Sequence, residues 1–393
     1  MDPLASLVVA SLRQGDAPID VRERLVNTLR DAAPLPAFVF ATCHRVEIYA
    51  VVEPKLDDEA ILARLRVAKG TAGLRLFRGE AAARHLFRVA TGLDSLIQGE
   101  SQVVGQLRRT IDAASAEPLL DAAVRRALNV SREVRARTVL GKVTRSLGSL
   151  AVDEALRHLE RPREATVLVV GAGEMGKLAS RALQRRIKSL LIANRGAARA
   201  VDLARDLAAE TVSLDEIETA LARADAVISA ADTRGAVLDV PRLERRLAAG
   251  PLVLIDLAMP RSVAPDARSL DGLVYRSADD LRDTTALPPD AIAHAEQFCA
   301  AAARQFATEW LARMATPVIQ EMHARADEHR RHQLARAMSK LGHLGARDRE
   351  VVQALAWSLT NALLHEPTIA LRAVPGRAAA ARELFGLEEQ RSR

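Results

Sequence analysis

Apolar and polar positions fall into three textures along the chain. Up to about residue 143, short apolar runs mix with helical spacing. Residues 7–9, 37–40 and 47–52 predict strands, and from about Glu80 the apolar positions recur at helical intervals. Between about 158 and 288, apolar runs at 165–170, 189–193, 226–230 and 252–255, with a weaker one at 272–275, alternate with helical segments. That alternation predicts a parallel α/β sheet. From about 290 onward no strand pattern is found, and Ala, Leu, Arg, Glu and Gln dominate at helical spacing. Long helices are predicted here, with Pro317 interrupting the stretch 290–341. Such helices do not close a compact core alone; pairing with a second copy of the chain would bury them, so a dimer is expected, the alternative being a helical bundle within one chain.

These textures predict an α/β multidomain protein: an α+β domain over 1–143, a Rossmann-like domain over 144–288 with a preceding linker helix, and an all-α domain over 289–393 reached by a long helix. The tail from Arg391 is expected to be disordered.

Composition narrows the functional classes. The chain has 393 residues, ample for two or three domains. No run of about 18 apolar residues predicts a membrane span, and the N-terminus does not resemble a secretory signal. A net charge of +6 suits a polyanionic partner. Aromatic residues are only 3 %, which argues against base stacking on an aromatic platform, so phosphate contacts from arginine should dominate any RNA binding. The two cysteines, Cys43 and Cys299, have no histidine partners at zinc-ligand spacing, so no metal site is expected. Reduced thiols in a cytoplasmic protein are the simplest reading. The histidines 323, 329 and 332 also lack ligand spacing.

Gly171-Ala172-Gly173-Glu174-Met175-Gly176 is a G-x-G-x-x-G that follows an apolar run and opens a helical pattern. In that context the glycines predict a dinucleotide-binding loop: a tight turn, close backbone approach to a pyrophosphate, and close helix–strand packing. About 20 residues on stand Asn194-Arg195, where an NAD site usually carries an acidic residue. Arg195 instead can pair with a 2′-phosphate, which favours NADPH.

Cys43 lies in Ala41-Thr42-Cys43-His44-Arg45-Val46-Glu47, a loop between two predicted strands. A lone cysteine is commonly a small buried hydrophobe. Here Arg45 and His44 supply positive charge that would favour the thiolate, and Arg45 could grip a substrate carboxylate through two hydrogen bonds. Both readings stay open on these residues alone. The helical stretch 131–137 carries three arginines and could contact nucleic-acid phosphates or be a solvated face.

The cysteine loop resembles the Ser-Thr-Cys-Asn-Arg-x-Glu signature of the glutamyl-tRNA reductase family. Further resemblance lies in His85-Leu86-Phe87-Arg88-Val89-Ala90-Thr91-Gly92-Leu93-Asp94-Ser95, in Gly99-Glu100-Ser101-Gln102 and Gly105-Gln106, and in the glycine loop. It continues through Asn194-Arg195, Asp256-Leu257-Ala258-Met259-Pro260-Arg261 and Leu363-Leu364-His365-Glu366-Pro367-Thr368. The resemblance implies catalytic, NADPH-binding and dimerisation domains strung along a long helix in a V-shaped homodimer. It implies that Cys43 attacks the ester of glutamyl-tRNA(Glu) and that NADPH reduces the resulting thioester to glutamate 1-semialdehyde, the first step of tetrapyrrole synthesis. An aminomutase would take up that product. By position, Thr42, His44, Arg45, Ser95, Glu100, Ser101, Gln102 and Gln106 would line the substrate site, with His85 required for activity. An activated ester needs no metal for attack by a thiolate, and the cofactor carries the hydride chemistry.

The sequence departs from the family pattern at three places. His44 replaces the usual Asn, Ala41 replaces Ser, and Ser11-Leu12-Arg13-Gln14-Gly15-Asp16-Ala17-Pro18 lacks the histidine of the usual Ser-His-Lys-like segment. Two competing functions follow: a non-catalytic, tRNA- or partner-binding or altered-substrate paralogue, and a dehydrogenase acting on a free small molecule.

Overall fold

A computed structural model describes residues 2–31, 37–109, 117–233, 235–285 and 287–387; the tail from Arg391 lies outside them. The chain divides into two compact units, one of residues 6–302 and one of residues 303–393 with the first five residues.

The larger unit contains two sheets. The first has four strands, β1 (Leu7–Arg13), β2 (Ala37–Thr42), β3 (Arg45–Val51) and β4 (Arg75–Arg78), in the order β2-β3-β1-β4. All three pairings are antiparallel. Strand β4 escapes the apolar pattern because an arginine stands at each end of its four residues. The helices of this region are α1 (Ile19–Asp31), α2 (Asp58–Arg64), α3 (Gly79–Thr91), α4 (Gln102–Arg109) and α5 (Pro118–Arg137). Helix α3 buries His85, Leu86, Phe87, Val89 and Ala90, a stripe at helical spacing, and packs on α5.

The second sheet has six parallel strands: β5 (Thr166–Val170), β6 (Ser189–Asn194), β7 (Glu210–Ser213), β8 (Ala226–Ser229), β9 (Leu252–Asp256) and β10 (Leu273–Ser277). Their order, β10-β9-β8-β5-β6-β7, reverses between β5 and β8, the position at which doubly wound sheets bind their ligands. Five strands match the apolar runs. The sixth, β7, is a polar edge strand, Glu-Thr-Val-Ser, buried on neither face, so no hydrophobic pattern reveals it. Ahead of β5, α6 (Leu147–Arg157) is capped by Ser146 and packs against α7 (Glu174–Leu183). Helices α8 (Ala197–Leu207), α9 (Ile217–Arg223) and α10 (Val240–Leu247) complete the layers.

The smaller unit is helical. Its first helix, α11 (Pro289–Lys340), begins within the larger unit and runs for 52 residues. The expected interruption at Pro317 does not occur. Proline removes one backbone hydrogen bond and crowds the preceding turn, but the long flanks keep the helix in register. Helices α12 (Ala346–Ala373) and α13 (Ala378–Leu384) follow. Val318, Met322, Leu364, Leu371 and Ala381 form a small buried cluster here, and Ala303, Phe306, Ala307 and Ala315 of α11 are buried as well. Along α12, Val351, Leu355, Leu359 and Leu363 are exposed at four-residue spacing, and Trp357 is exposed on another face of the helix. Among the described residues no group of three potential metal ligands gathers; His323 Nε2 instead lies 2.9 Å from the Thr368 hydroxyl. No described helix is long and apolar enough to cross a membrane.

Candidate active site

Cys43 and His44 form the two-residue connection of the β2–β3 hairpin, with Thr42 paired to Arg45 across it. The turn is held from several sides. The Thr42 hydroxyl accepts from the His44 amide at 3.3 Å, and the His44 carbonyl accepts from the Gln14 amide at 2.7 Å. Arg22 of α1, fully buried, donates to the Cys43 carbonyl at 2.6 Å. The Cys43 side chain is only 5 % exposed and joins Ile97 in the apolar cluster of the parallel sheet, beside Leu147, Ala172, Leu257, Ala278 and Leu281. The thiol therefore sits where the first sheet's hairpin meets the second sheet's domain.

The expectation that His44 and Arg45 favour the thiolate is not met. Burial pushes the Cys43 thiol up, the Glu100 carboxylate adds to that rise, and only Arg22 opposes both appreciably from a side chain. His44 is not cationic: burial, with Arg45 and Arg22 nearby, holds it down to about 3. Its Nδ1 is hydrogen-bonded to the Gln14 side-chain oxygen, leaving Nε2 buried and without a hydrogen-bond partner. Arg45 turns away from the thiol. Its Nη2 donates to the Asp94 carbonyl, and its Nη1 lies 3.5 Å from Glu47 without a hydrogen bond.

Behind the hairpin lies a polar network built on Glu47, His85 and Asp94. Glu47 accepts from Ser11 at 2.9 Å and from the Tyr49 hydroxyl, and lies 2.8 Å from His85 Nε2. Although burial pushes its pKa up, His85 and Arg45 hold it down to about 2. The other ring nitrogen of His85 lies 3.6 Å from Asp94, and the ring stacks on Phe77 at 4.3 Å. His85 is thus clamped between two carboxylates and does not reach the thiol directly. Asp94 gathers Arg13 at 3.1 Å and Arg88 at 2.8 Å.

Helix α3 ends at Gly92, whose φ of +79° lets the chain turn back on itself. The loop that follows brings Ser95, Glu100 and Gln102 into buried positions near the hairpin. Arg135 of α5 fixes it, donating to the carbonyls of Gly99 (at 2.8 Å) and Glu100. So this arginine of the basic 131–137 stretch serves the site loop, whereas Arg132 and Arg137 are exposed. Burial pushes Glu100 up to about 7, against Ser95, Arg45 and Arg135. Glu100 Oε2 and both polar atoms of the Gln102 amide are buried without hydrogen-bond partners. Unpaired buried polar atoms cost stability unless a ligand completes them. Ser101 is exposed at the start of α4, and Gln106 is half-buried one turn on. A cavity of about 620 Å³ opens beside the hairpin, lined by Arg13, Gln14, His44, Asp94, Ser95 and Asp279 among others.

The glycine loop is built as the motif predicts. It follows β5, and α7 begins at Glu174 with Gly173 as its N-cap and no side chain covering the amide end. A Cβ on Gly176 would lie 1.8 Å from the Gly171 carbonyl, whereas at Gly173 nothing stands within 4 Å. The first explains the close packing; the second is an open cradle at a helix N-terminus, suited to a pyrophosphate. The Asn194 side chain accepts from the Ala172 amide at 3.1 Å. Arg195 is exposed at the end of β6, its guanidinium 3.3 Å from the Asp232 carbonyl. These residues fit a nicotinamide dinucleotide.

Sequence reasoning missed Arg22, Arg135, Gln14 and Asp279. A signal for Arg22 existed: on α1 it shares a face with Leu25, Val26 and Leu29, so an arginine occupies a core position of an amphipathic helix.

Three family descriptions match in succession: the N-terminal domain of glutamyl-tRNAGlu reductase over residues 11–138, shikimate/quinate 5-dehydrogenase over 153–284, and the glutamyl-tRNAGlu reductase dimerisation domain over 294–387. A glutamyl-tRNA reductase of Myxococcus xanthus is 33 % identical over 418 residues, covering 98 % of this chain and 94 % of its own. That of Halobacterium salinarum is 35 % identical over 366 residues, covering 89 % and 83 %. The solved glutamyl-tRNA reductase of Methanopyrus kandleri superposes with a TM-score of 0.50 at 29 % identity, covering 98 % of this chain and 100 % of that one. The chain belongs to the glutamyl-tRNA reductase family.

Proposed function

We propose that this chain reduces glutamyl-tRNA(Glu) to glutamate 1-semialdehyde through a covalent Cys43 thioester, with NADPH as reductant. The observation that carries the reading is the setting of Cys43. It stands at a hairpin tip among buried polar groups without partners, packed against the domain that carries the dinucleotide loop.

In the acylation step the Cys43 sulfur attacks the ester carbonyl. A C–S bond forms, the ester C–O bond breaks, and the ribose hydroxyl of the tRNA leaves with a proton. A buried thiol with a raised pKa needs a proton acceptor. Glu100 is assigned that role, because its charge acts on the thiol, its Oε2 has no hydrogen bond, and its pKa of about 7 lets it exchange protons near neutrality. Arg45 Nη1, beside Glu47 without a hydrogen bond, and the Gln102 amide would meet the glutamyl side chain, and Thr42, His44, Ser95, Ser101 and Gln106 are assigned to the same substrate site. His85, tied to Glu47 and Asp94, fixes the wall behind the hairpin. Gly171, Ala172, Gly173, Glu174, Met175 and Gly176 would hold the pyrophosphate, Asn194 and Arg195 the ribose and its 2′-phosphate. When bound, NADPH would supply the hydride that reduces the thioester carbonyl to the aldehyde; the C–S bond breaks, and the Cys43 sulfur leaves as thiolate and takes up a proton.

The domains are assigned as catalytic over 1–143, NADPH-binding over 144–288 and dimerising over 289–393. The exposed apolar row on α12 supports a homodimer. Both cysteines are free, which suits the cytoplasm. The aldehyde product is handed to an aminomutase.

The test is incubation with radiolabelled glutamyl-tRNA without NADPH. The wild type should accumulate a thiol-labile protein-bound glutamate that NADPH releases as semialdehyde, and Cys43→Ser should not. Absence of the adduct in the wild type would overturn the mechanism.

A further inference from the structure

Helix α1 lies in the catalytic domain, yet its polar residues reach the cofactor domain at three separate points. Arg22 meets Asp279, which follows β10. Glu23, at 2.7 Å, and Asp20 meet Arg261 in the loop after β9. Arg30 meets Asp232 after β8. These three points lie beyond the carboxyl ends of adjacent parallel strands, the edge at which a doubly wound sheet presents its cofactor. The Asp256–Arg261 motif contributes a second contact from the same loop, since Met259 packs into the apolar cluster of the first sheet.

Of these contacts, Arg22 differs in kind. Asp20 and Asp232 are well exposed and the Glu23–Arg261 pair is part-exposed on both sides, whereas the Arg22 side chain is fully buried. Its guanidinium is held at two ends: Nη1 donates to the Cys43 carbonyl at 2.6 Å, and Nη2 to the Asp279 carboxylate. Its Nε has no hydrogen-bond partner. Burying a guanidinium is costly unless its geometry is fixed by partners, so the cysteine turn and the segment after β10 are tied through one rigid planar group. Asp279 also lines the cavity beside the hairpin, one residue after Ala278 of the cluster that holds the thiol.

We propose that Arg22 is a positioning residue for the hydride step: by gripping the Cys43 carbonyl with one nitrogen and Asp279 with another, it sets the acylated cysteine against the cofactor domain. The inference rests on the thioester reading above. Acylation of Cys43 needs the turn but not the cofactor domain. Reduction needs both in register, and errors of about 1 Å between reacting groups cost on the order of 100-fold in rate. The Asp279 end of the link therefore matters more to the second half-reaction than to the first.

The test is placed on Asp279, because its side chain is part-exposed while Arg22→Gln would leave an unfilled buried site. The full-length chain is loaded with radiolabelled glutamate from glutamyl-tRNA without NADPH, and the rate of thioester formation is measured. NADPH is then added in a single turnover, and the rate of release is measured with NADPH affinity determined separately. Asp279→Asn should bind NADPH unchanged and slow reduction of the thioester at least about ten-fold more than it changes thioester formation, a step on which the carboxylate also acts through its charge on the Cys43 thiol. Asp279→Glu, which restores the charge, should recover much of the reduction rate. Reduction at the wild-type rate in Asp279→Asn, or a parallel fall of both half-reactions without recovery in Asp279→Glu, overturns the proposal while leaving the thioester reading intact. If the wild type forms no thioester, both fall together.

Discussion

Two glycines of the dinucleotide loop separate folding from binding. At Gly176 a Cβ would stand 1.8 Å from the Gly171 carbonyl, and the obstacle is backbone. An ordinary contact is about 3.4 Å or more, so α7 would have to move away from the end of β5 by over an ångström. Overpacking of this kind costs about 1–3 kcal/mol or more. In a domain of this size that lowers Tm by roughly 2–10 °C. At Gly173 nothing lies within 4 Å, so alanine there meets no protein atom and should leave Tm within about 1 °C. Its methyl instead projects into the space assigned to the pyrophosphate, at the bare amide end of α7. The assays are thermal denaturation without ligand and fluorescence titration with NADPH. Gly176→Ala should lose stability. Gly173→Ala should keep it and bind NADPH at least about ten-fold more weakly, a cost of about 1.4 kcal/mol. A Gly173→Ala variant with wild-type affinity would refute the pyrophosphate assignment, whatever the fate of Gly176→Ala.

Arg195→Ala should raise the KM for NADPH by about ten-fold or more and leave that for NADH nearly unchanged, as steady-state kinetics with the two cofactors will show. Glu100→Gln should move two assays in opposite directions. Loss of the carboxylate lets the thiol ionise more readily, so alkylation of Cys43 by iodoacetamide should quicken, with the gap from wild type opening above about pH 7, where Glu100 is ionised. Thioester formation should fall at least about ten-fold for want of a proton acceptor, and in the wild type it should decline as pH drops below about 7. The same raised pKa makes Glu100 favour folding below its ordinary value of 4.5 and lose that contribution as pH rises through 7. Glu100→Gln should therefore be stabilised relative to wild type above pH 7 in thermal melts. Leu355→Glu with Leu363→Glu, both on the exposed row of α12, should shift the protein from dimer to monomer in analytical ultracentrifugation.

What the sequence disclosed and what it hid divide along physical lines. Period and turn chemistry are local, so they exposed the five buried parallel strands and the glycine loop, whose spacing is dictated by a backbone contact between residues 171 and 176. The edge strand β7 carries no apolar face to detect. Pro317 is a local signal that nonlocal structure overrides, since one missing hydrogen bond is small beside the long helix that continues through it. The cysteine loop shows the deeper limit. Its residues are legible, but spacing along the chain alone puts the charges of His44 and Arg45 at the thiol. Folding instead directs Arg45 to Asp94 and Glu47 and strips His44 of its proton through burial. The cation that does act on Cys43 comes from residue 22, and its effect on the thiol is outweighed by burial and Glu100. Charge in a site is set by which groups burial leaves facing one another, a nonlocal property that spacing along the chain does not carry. It follows that the substitution of His44 for asparagine is milder than its chemistry suggests. With Nδ1 held by Gln14 and the ring neutral, His44 presents to the site a bare acceptor nitrogen, much as an asparagine would present a carbonyl oxygen. His44→Asn should accordingly keep thioester formation within about three-fold, while His44→Leu, which leaves no acceptor, should lose at least about ten-fold in the same single-turnover assay.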